Sequence, residues 1–167
     1  MTELDKELVR RVLILQDKNA YCDLVRKYQV QVRSYLFRLT RSQEWASDIA
    51  QETFLKGYRN LDQLKEHHKF RAWIYSIAHS QFLQWHRSHE VFNSDDSVPE
   101  PALESNPYAG TELRSIFKNL RPEECSALTL CLAHDFSHNE AAQMLGLPLG
   151  TVKTLILRAR EKLGAYG

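Results

Sequence analysis

Asn139-Glu140-Ala141-Ala142, then Leu145-Gly146-Leu147-Pro148-Leu149-Gly150-Thr151-Val152-Lys153-Thr154 and Arg158-Ala159-Arg160, fall within about the last thirty residues of the chain. They read as two short helices joined by a tight turn. The first starts after Ser137, an N-cap whose capping box is completed by Glu140 at the third helical position. It runs through apolar Ala141, Ala142 and Leu145 to Gly146, the helix-ending residue. Leu147 and Pro148 make the turn. The second helix extends to about Leu163, with Val152, Ile156, Ala159 and Leu163 spaced as one buried stripe. Lys153, Thr154, Leu157, Arg158 and Arg160 lean away from that stripe. Such a helix-turn-helix lays its second helix in a DNA major groove, with early residues at base edges and cations at phosphates. An ordinary helical hairpin with a solvated basic face has the same spacing, and the motif alone does not separate the two.

Composition bounds the rest of the chain. Its 167 residues, 43% of them hydrophobic, suffice for one core of moderate size or two small ones. The net charge is +1, but its distribution is uneven. Residues 1–87 carry fifteen Lys and Arg against ten acids, residues 88–113 carry six acids and no Lys or Arg, and residues 114–167 carry seven against five. Two basic segments therefore flank an acidic one. No apolar run of signal-peptide type opens the chain and none approaches membrane-spanning length, so the expectation is a cytoplasmic protein without direct membrane insertion. In that reducing compartment Cys22, Cys125 and Cys131 are expected as free thiols.

Helical periodicity runs through most of the sequence, and strand signals are nearly absent. Leu4, Leu8, Val12 and Leu15 open an amphipathic segment. Leu24, Tyr28, Val32, Tyr35, Leu36 and Leu39 mark a second helix, with Arg26, Lys27, Arg33 and Arg38 off its apolar stripe. A third begins near Ser42 or Ser47, with Trp45, Ile49, Phe54, Leu55 and Tyr58 as apolar positions, and ends where Asn60-Leu61-Asp62 breaks the pattern. A fourth runs from about Lys69 to Arg87 and mixes aromatics with cations: Phe70, Arg71, Trp73, Tyr75, His79, Phe82, Trp85, His86 and Arg87. Ser88 to Gly110 holds three prolines, four serines and two asparagines without apolar periodicity, the composition of a linker. A helix from about Thr111 to Leu120 follows, and Arg121-Pro122-Glu123-Glu124 starts another. The predicted fold class is all-α, two small helical domains joined by a flexible acidic linker.

Three motifs recur in a known order: Asp48-Ile49-Ala50-Gln51-Glu52-Thr53-Phe54, Phe70-Arg71-Ala72-Trp73-Ile74-Tyr75-Ser76-Ile77-Ala78, and Leu149-Gly150-Thr151-Val152-Lys153-Thr154 with Arg158-Ala159-Arg160-Glu161-Lys162-Leu163. Together, and over nearly the whole chain, they resemble an extracytoplasmic-function (ECF) sigma factor of the sigma-70 family. The resemblance implies sigma domain 2 over residues 1–88, a linker over 89–110 that threads the polymerase interior, and sigma domain 4 over 111–167. It implies a cytoplasmic transcription-initiation protein that joins core RNA polymerase, at the β′ clamp helices and the β subunit, and recognises and melts promoter DNA. It implies no catalytic site; no metal and no cofactor are expected. Asp48, Gln51, Glu52 and Leu55 match the family's polymerase-binding helix. Arg71, Tyr75, His79, Ser80, Gln84, Trp85 and Arg87 fall in the segment that opens the promoter and captures a single strand. There, aromatic side chains stack on bases and cations follow the backbone. Thr151, Lys153, Thr154, Leu155 and Arg158 fall on the DNA-reading helix of domain 4. An anti-sigma factor, often membrane-linked in the family, is a further candidate partner.

The residues themselves leave alternatives open. Some of Phe70, Trp73 and Ile77 are core residues by spacing, whereas Tyr75, His79, Gln84, Trp85 and Arg87 are the candidates for a wet face. The chain departs from the family pattern at Ser80, where asparagine is common, at Gln84, where aspartate is frequent, and at Thr154, Leu155 and Leu157 on the reading helix. Leucine offers only apolar contact, for instance to a thymine methyl, where arginine makes bidentate contacts to guanine. That face is thus expected to be covered by an inhibitory partner or to bind an element read partly by shape. Cys125, Cys131, His134 and His138 form a series whose last three members can share a helical face. The spacing is not that of a standard zinc motif, and buried thiols with surface histidines are the preferred reading. Two other classes compete: an autonomous helix-turn-helix regulator, which leaves the aromatic helix without a role, and a degenerate sigma-like chain that binds polymerase or an anti-sigma factor without reading DNA.

Overall fold

The chain gathers into two compact units, Met1–Val91 and Phe92–Gly167. The computed structural model describes residues 2–89 and 119–164, and among these every regular element is helical, with no strand. The expected linker beyond residue 89, and the helix expected from Thr111 as far as residue 118, lie outside the described residues.

In the first unit α1 (Thr2–Leu15), α2 (Lys18–Thr40), α3 (Gln43–Arg59) and α4 (Phe70–His89) pack side by side, α2 touching the other three. Each boundary has a local cause. Asp17 caps α2 by accepting from the backbone N–H groups of Asn19 and Ala20, and Ser42 caps α3 by accepting from Trp45 at 3.2 Å. Leu61–Gln63 and His67–Lys69 form two 3₁₀ turns between α3 and α4, where Asn60-Leu61-Asp62 was expected to interrupt the helix.

The core is built from Leu24, Tyr28, Val32, Tyr35 and Leu36 of α2, Ile49 and Phe54 of α3, and Phe70, Ile74, Tyr75, Ala78 and Phe82 of α4. Each large side chain so buried stabilises the fold by roughly 1.5–3 kcal/mol over its exposed state. Gly57 lets α3 approach α4: a β-carbon there would stand 2.8 Å from Ile74 Cδ1 and 3.0 Å from the Tyr21 hydroxyl oxygen. On α1 the buried set is Leu8, Val9 and Val12, while Leu4 and Leu15, expected in the stripe, face solvent. The stripe is rotated by Asp5, which is buried. Its carboxylate accepts from the Tyr28 hydroxyl and from Lys27 Nζ at 2.6 Å, so Lys27 is an anchor between α1 and α2 and not a free surface cation. Trp45, Leu55 and Tyr58, expected as apolar positions of α3, are likewise exposed.

In the second unit α5 (Pro122–Leu128) opens with Pro122 in its first turn and continues as a π-helical turn over Thr129–Ala133. Then come α6 (His138–Leu145) and α7 (Leu149–Gly164). Glu124, 1% exposed, ties the first turn of α5 to the last of α7 through Lys162 Nζ at 2.8 Å. A buried carboxylate left without such a partner costs several kcal/mol, so this pair fixes the packing of α5 on α7.

Candidate functional site

On α3 the expected contact residues Asp48, Gln51, Glu52 and Leu55 all face outward, within one arc of the helix. Among the described residues neither Asp48 nor Glu52 has an ion-pair partner, so both carboxylates are available to an external cation. Gln51 and Leu55 also border an open groove of about 560 Å³ between α2 and α3, lined further by Tyr21, Val25, Phe54 and Tyr58. The surface therefore combines a polar ridge with an apolar trough, a form that accepts a helix edge-on.

The α4 residues divide. Ser80, Gln84 and Arg87 are exposed and lie on one face, a polar row along the second half of the helix. Arg71 is half-buried with its guanidinium 5.6 Å from the Tyr75 ring centroid. Tyr75 and His79, expected on the wet face, belong instead to the core. Tyr75 is fully buried with its ring 5.6 Å from that of Tyr35, and His79 is 7% exposed with Nδ1 3.2 Å from the Tyr35 hydroxyl. The reason is that α4 packs against α2 and α3 together, which covers two sides of the helix. Burial pushes the Tyr75 phenol up to about 12, against an opposing pull from Arg71.

Trp85 is half-buried in an aromatic cluster that the sequence reading did not assemble. Its ring lies 5.0 Å from His89 in a stacked arrangement and 5.7 Å from Trp45, which stands 4.5 Å from His89. His89 Nδ1 meets the Trp85 carbonyl at 2.8 Å and Ser88 Oγ donates to that of Gln84 at 3.0 Å. These bonds sustain α4 to His89, past the expected end at Arg87. The available signal was the pairing of one tryptophan at the start of α3 with another at the end of an antiparallel α4.

In the second unit the capping box forms as expected: Ser137 Oγ accepts from Glu140 N at 3.1 Å and Ser137 N donates to Glu140 Oε1 at 3.2 Å. Gly146 ends α6 with φ of +67°, and Leu147 N donates to Ala142 O at 3.0 Å to close the turn. Val152, Ile156 and Ala159 are buried and Leu163 is half-buried. Thr151, Lys153, Thr154 and Arg158 are exposed, Leu155 is half-buried at the border, and Leu157 is 58% exposed. The two helices and their turn thus present a cationic and hydroxylic face opposite the core, as a helix-turn-helix does. Cys131, His134 and His138 do not share a helical face, because the helix ends at Ala133 and the next begins at His138. Among the described residues no group of three or more His, Cys, Asp and Glu is placed to hold a metal ion. Burial raises the Cys131 thiol, opposed by Arg160.

The sigma-70 region 2 family matches residues 24–91 and the sigma-70 region 4 family residues 111–163. Over 160 aligned residues the chain is 31% identical to the RNA polymerase sigma factor YlaC of Bacillus subtilis, covering 89% of this chain and 92% of that protein. The chain belongs to the ECF sigma factors of the sigma-70 family. This sigma factor is also 30% identical to the RNA polymerase sigma-H factor of Pseudomonas aeruginosa, over 96% of its own length and 92% of the relative's. Among solved structures it is similar to CnrH in complex with the cytosolic domain of CnrY, with a TM-score of 0.74 and 22% identity over 97% of this chain and 96% of that one, a likeness of fold. The sigma factor RpoE of Bartonella quintana, in complex with the anti-sigma factor NepR, gives a TM-score of 0.71 at 25% identity over 86% and 96%. As a member of this family the sigma factor serves promoter recognition and transcription initiation. No helix among its described residues is long and apolar enough to cross a membrane.

Proposed function

We propose that this sigma factor docks on the clamp helices of core RNA polymerase through the α3 ridge of Asp48, Gln51, Glu52 and Leu55. Positioned there, the polar row of α4 and the half-exposed Trp85 meet the promoter strands, and α7 enters the major groove of an upstream element. The observation that carries this reading is that the first unit exposes Asp48, Gln51, Glu52, Ser80, Gln84 and Arg87, and the second Thr151, Lys153, Thr154 and Arg158, each set on the outside of its own core. Melting uses whatever aromatic area α4 leaves accessible, since a base stacked on an exposed ring is worth roughly 1–3 kcal/mol. With Tyr75 and His79 enclosed in the core, strand capture falls to Trp85, with Arg71 and Arg87 along the backbone. The chemistry of RNA synthesis belongs to the core enzyme, and this chain supplies position and specificity. The complex of RpoE with NepR supports an anti-sigma protein as a regulator of this chain as well.

Binding of the purified chain to core bacterial RNA polymerase, followed by run-off transcription from genomic fragments, tests the reading. Tight binding and new transcripts that disappear with Asp48→Lys are the expected result. Binding without transcripts would reduce the chain to an interaction protein.

A further inference from the structure

Leu157 is the one large apolar side chain of α7 that is exposed, on a face shared with Gly150, Lys153, Thr154, Arg158 and, one turn on, Glu161. A leucine 58% exposed loses the free energy its burial would bring, and among the described residues nothing buries it further. On α7 itself no second large apolar side chain is exposed beside it. Leu155 is half-buried at the border of the core, and a protein-docking surface commonly needs a contiguous apolar area of a few hundred Å². One exposed leucine on a helix face with Lys153 and Arg158 fits a small apolar group set in an anionic surface.

Two neighbouring details narrow that group. Thr154 donates its hydroxyl hydrogen to the carbonyl of Gly150 at 2.9 Å, so toward the outside it offers only acceptor lone pairs and its methyl. Among the described residues, nothing beyond its chain neighbours and its own helix backbone lies within 4 Å of where a β-carbon of Gly150 would stand, so that end of the face is open. Leu157 follows Thr154 by three residues, about 4.5 Å along the axis, against about 3.4 Å between base pairs. Glu161 succeeds it one turn later and repels phosphate, which ends the groove-facing stretch at Leu157 and Arg158. In the major groove an A·T pair presents the adenine N6 donor and the thymine C5-methyl. The acceptor of Thr154 suits the first and the side chain of Leu157 the second.

We infer that Leu157 is a specificity-determining residue that reads a thymine methyl in the upstream promoter element, next to a base pair whose amino group Thr154 accepts. The inference rests on the assignment of α7 as the duplex-reading helix. Its test replaces thymine by deoxyuridine, which removes the methyl and leaves every hydrogen-bonding edge in place. The sigma factor assembled with core bacterial RNA polymerase first selects bound duplexes from a pool randomised upstream of a fixed start site. Each thymine of the selected duplex is then changed singly to deoxyuridine. The expected loss is about fourfold at one position, the value of one buried methyl. Leu157→Ala should lose a similar factor on the thymine duplex and nothing more on deoxyuridine at that position, the non-additivity of a direct contact. Equal melting temperatures of the variant and the parent protein verify that this exposed site leaves folding untouched. If duplexes are selected but deoxyuridine is neutral throughout, or Leu157→Ala remains equally sensitive to it, the inference is overturned while the assignment of α7 stands. Unchanged DNA binding by Leu157→Ala with weakened binding of a protein inhibitor overturns it in favour of protein docking. If no duplex is selected at all, the assignment of α7 itself fails.

Discussion

At Gly57 the absence of a side chain sets the distance between two helices. A methyl group there would press 2.8 Å from Ile74 Cδ1 and 3.0 Å from the Tyr21 hydroxyl oxygen, and Ile74 is fully buried. Gly57→Ala is expected to destabilise the first unit by roughly 1–3 kcal/mol, the usual cost of overpacking, even though alanine is the better helix former. A melting temperature equal to that of the parent protein would show that α4 shifts without cost. The same scale separates what sequence reveals from what it hides. Ser137, Glu140 and Gly146 were legible because capping and left-handed termination depend on local chemistry that a few residues declare. Tyr75 and His79 were not, because an aromatic hydroxyl and an imidazole suit a wet face and a buried hydrogen-bonded pair equally well. The packing of α4 on α2 and α3 decides between them, and the partner it gives His79, Tyr35, lies forty-four residues earlier in the chain. The buried Asp5 is the same case: its place is set by Lys27 and Tyr28 on another helix.

Among the elements, α6 is short and depends on its ends. Eight residues give few intrahelical hydrogen bonds, and isolated helices of that length are marginal in water. Ser137→Ala removes the acceptor for the Glu140 N–H, and the expected cost is about 1 kcal/mol. Amide hydrogen exchange over residues 138–145 should accelerate correspondingly, while exchange in α2 stays unchanged. Equal acceleration in both would mean that the loss is not local to the cap. Element existence was readable for all four helices of the first unit, since each carries a run of apolar positions at helical spacing. The depth of α4 was not, because a helix covered on two sides has an apolar arc too wide for periodicity to assign single positions. For α3 the error ran the other way. Trp45, Leu55 and Tyr58 fit a core stripe by residue type, yet all three are exposed: Leu55 and Tyr58 line the α2–α3 groove, and Trp45 stands against Trp85 and His89 of α4. Large apolar side chains beside a surface groove imitate a core in sequence.

For the molecule as a whole, the buried tyrosines govern behaviour in alkali. Burial raises the phenols of Tyr21 and Tyr28, with Asp5 adding to the second, and takes Tyr75 to about 12. An unfolded tyrosine ionises near 10.0, so above that pH the unfolded chain releases protons that the folded chain retains. The stability these groups contribute is therefore fully present below pH 10 and is lost as the pH climbs toward about 12 and beyond. Melting temperature should fall steeply across that window, and Tyr75→Phe should fall less steeply once its own baseline is subtracted. Identical slopes would place the alkaline loss elsewhere. The arrangement of aromatics has an optical consequence too. All three tryptophans of the chain, Trp45, Trp73 and Trp85, sit on α3 and α4, and residues 92–167 contain none. Indole emission is therefore an intrinsic, label-free gauge of the first unit. A partner that covers Trp45, 40% exposed at the start of α3, will change the spectrum directly, whereas a ligand gripped by α7 alone finds no indole in its own unit to announce it.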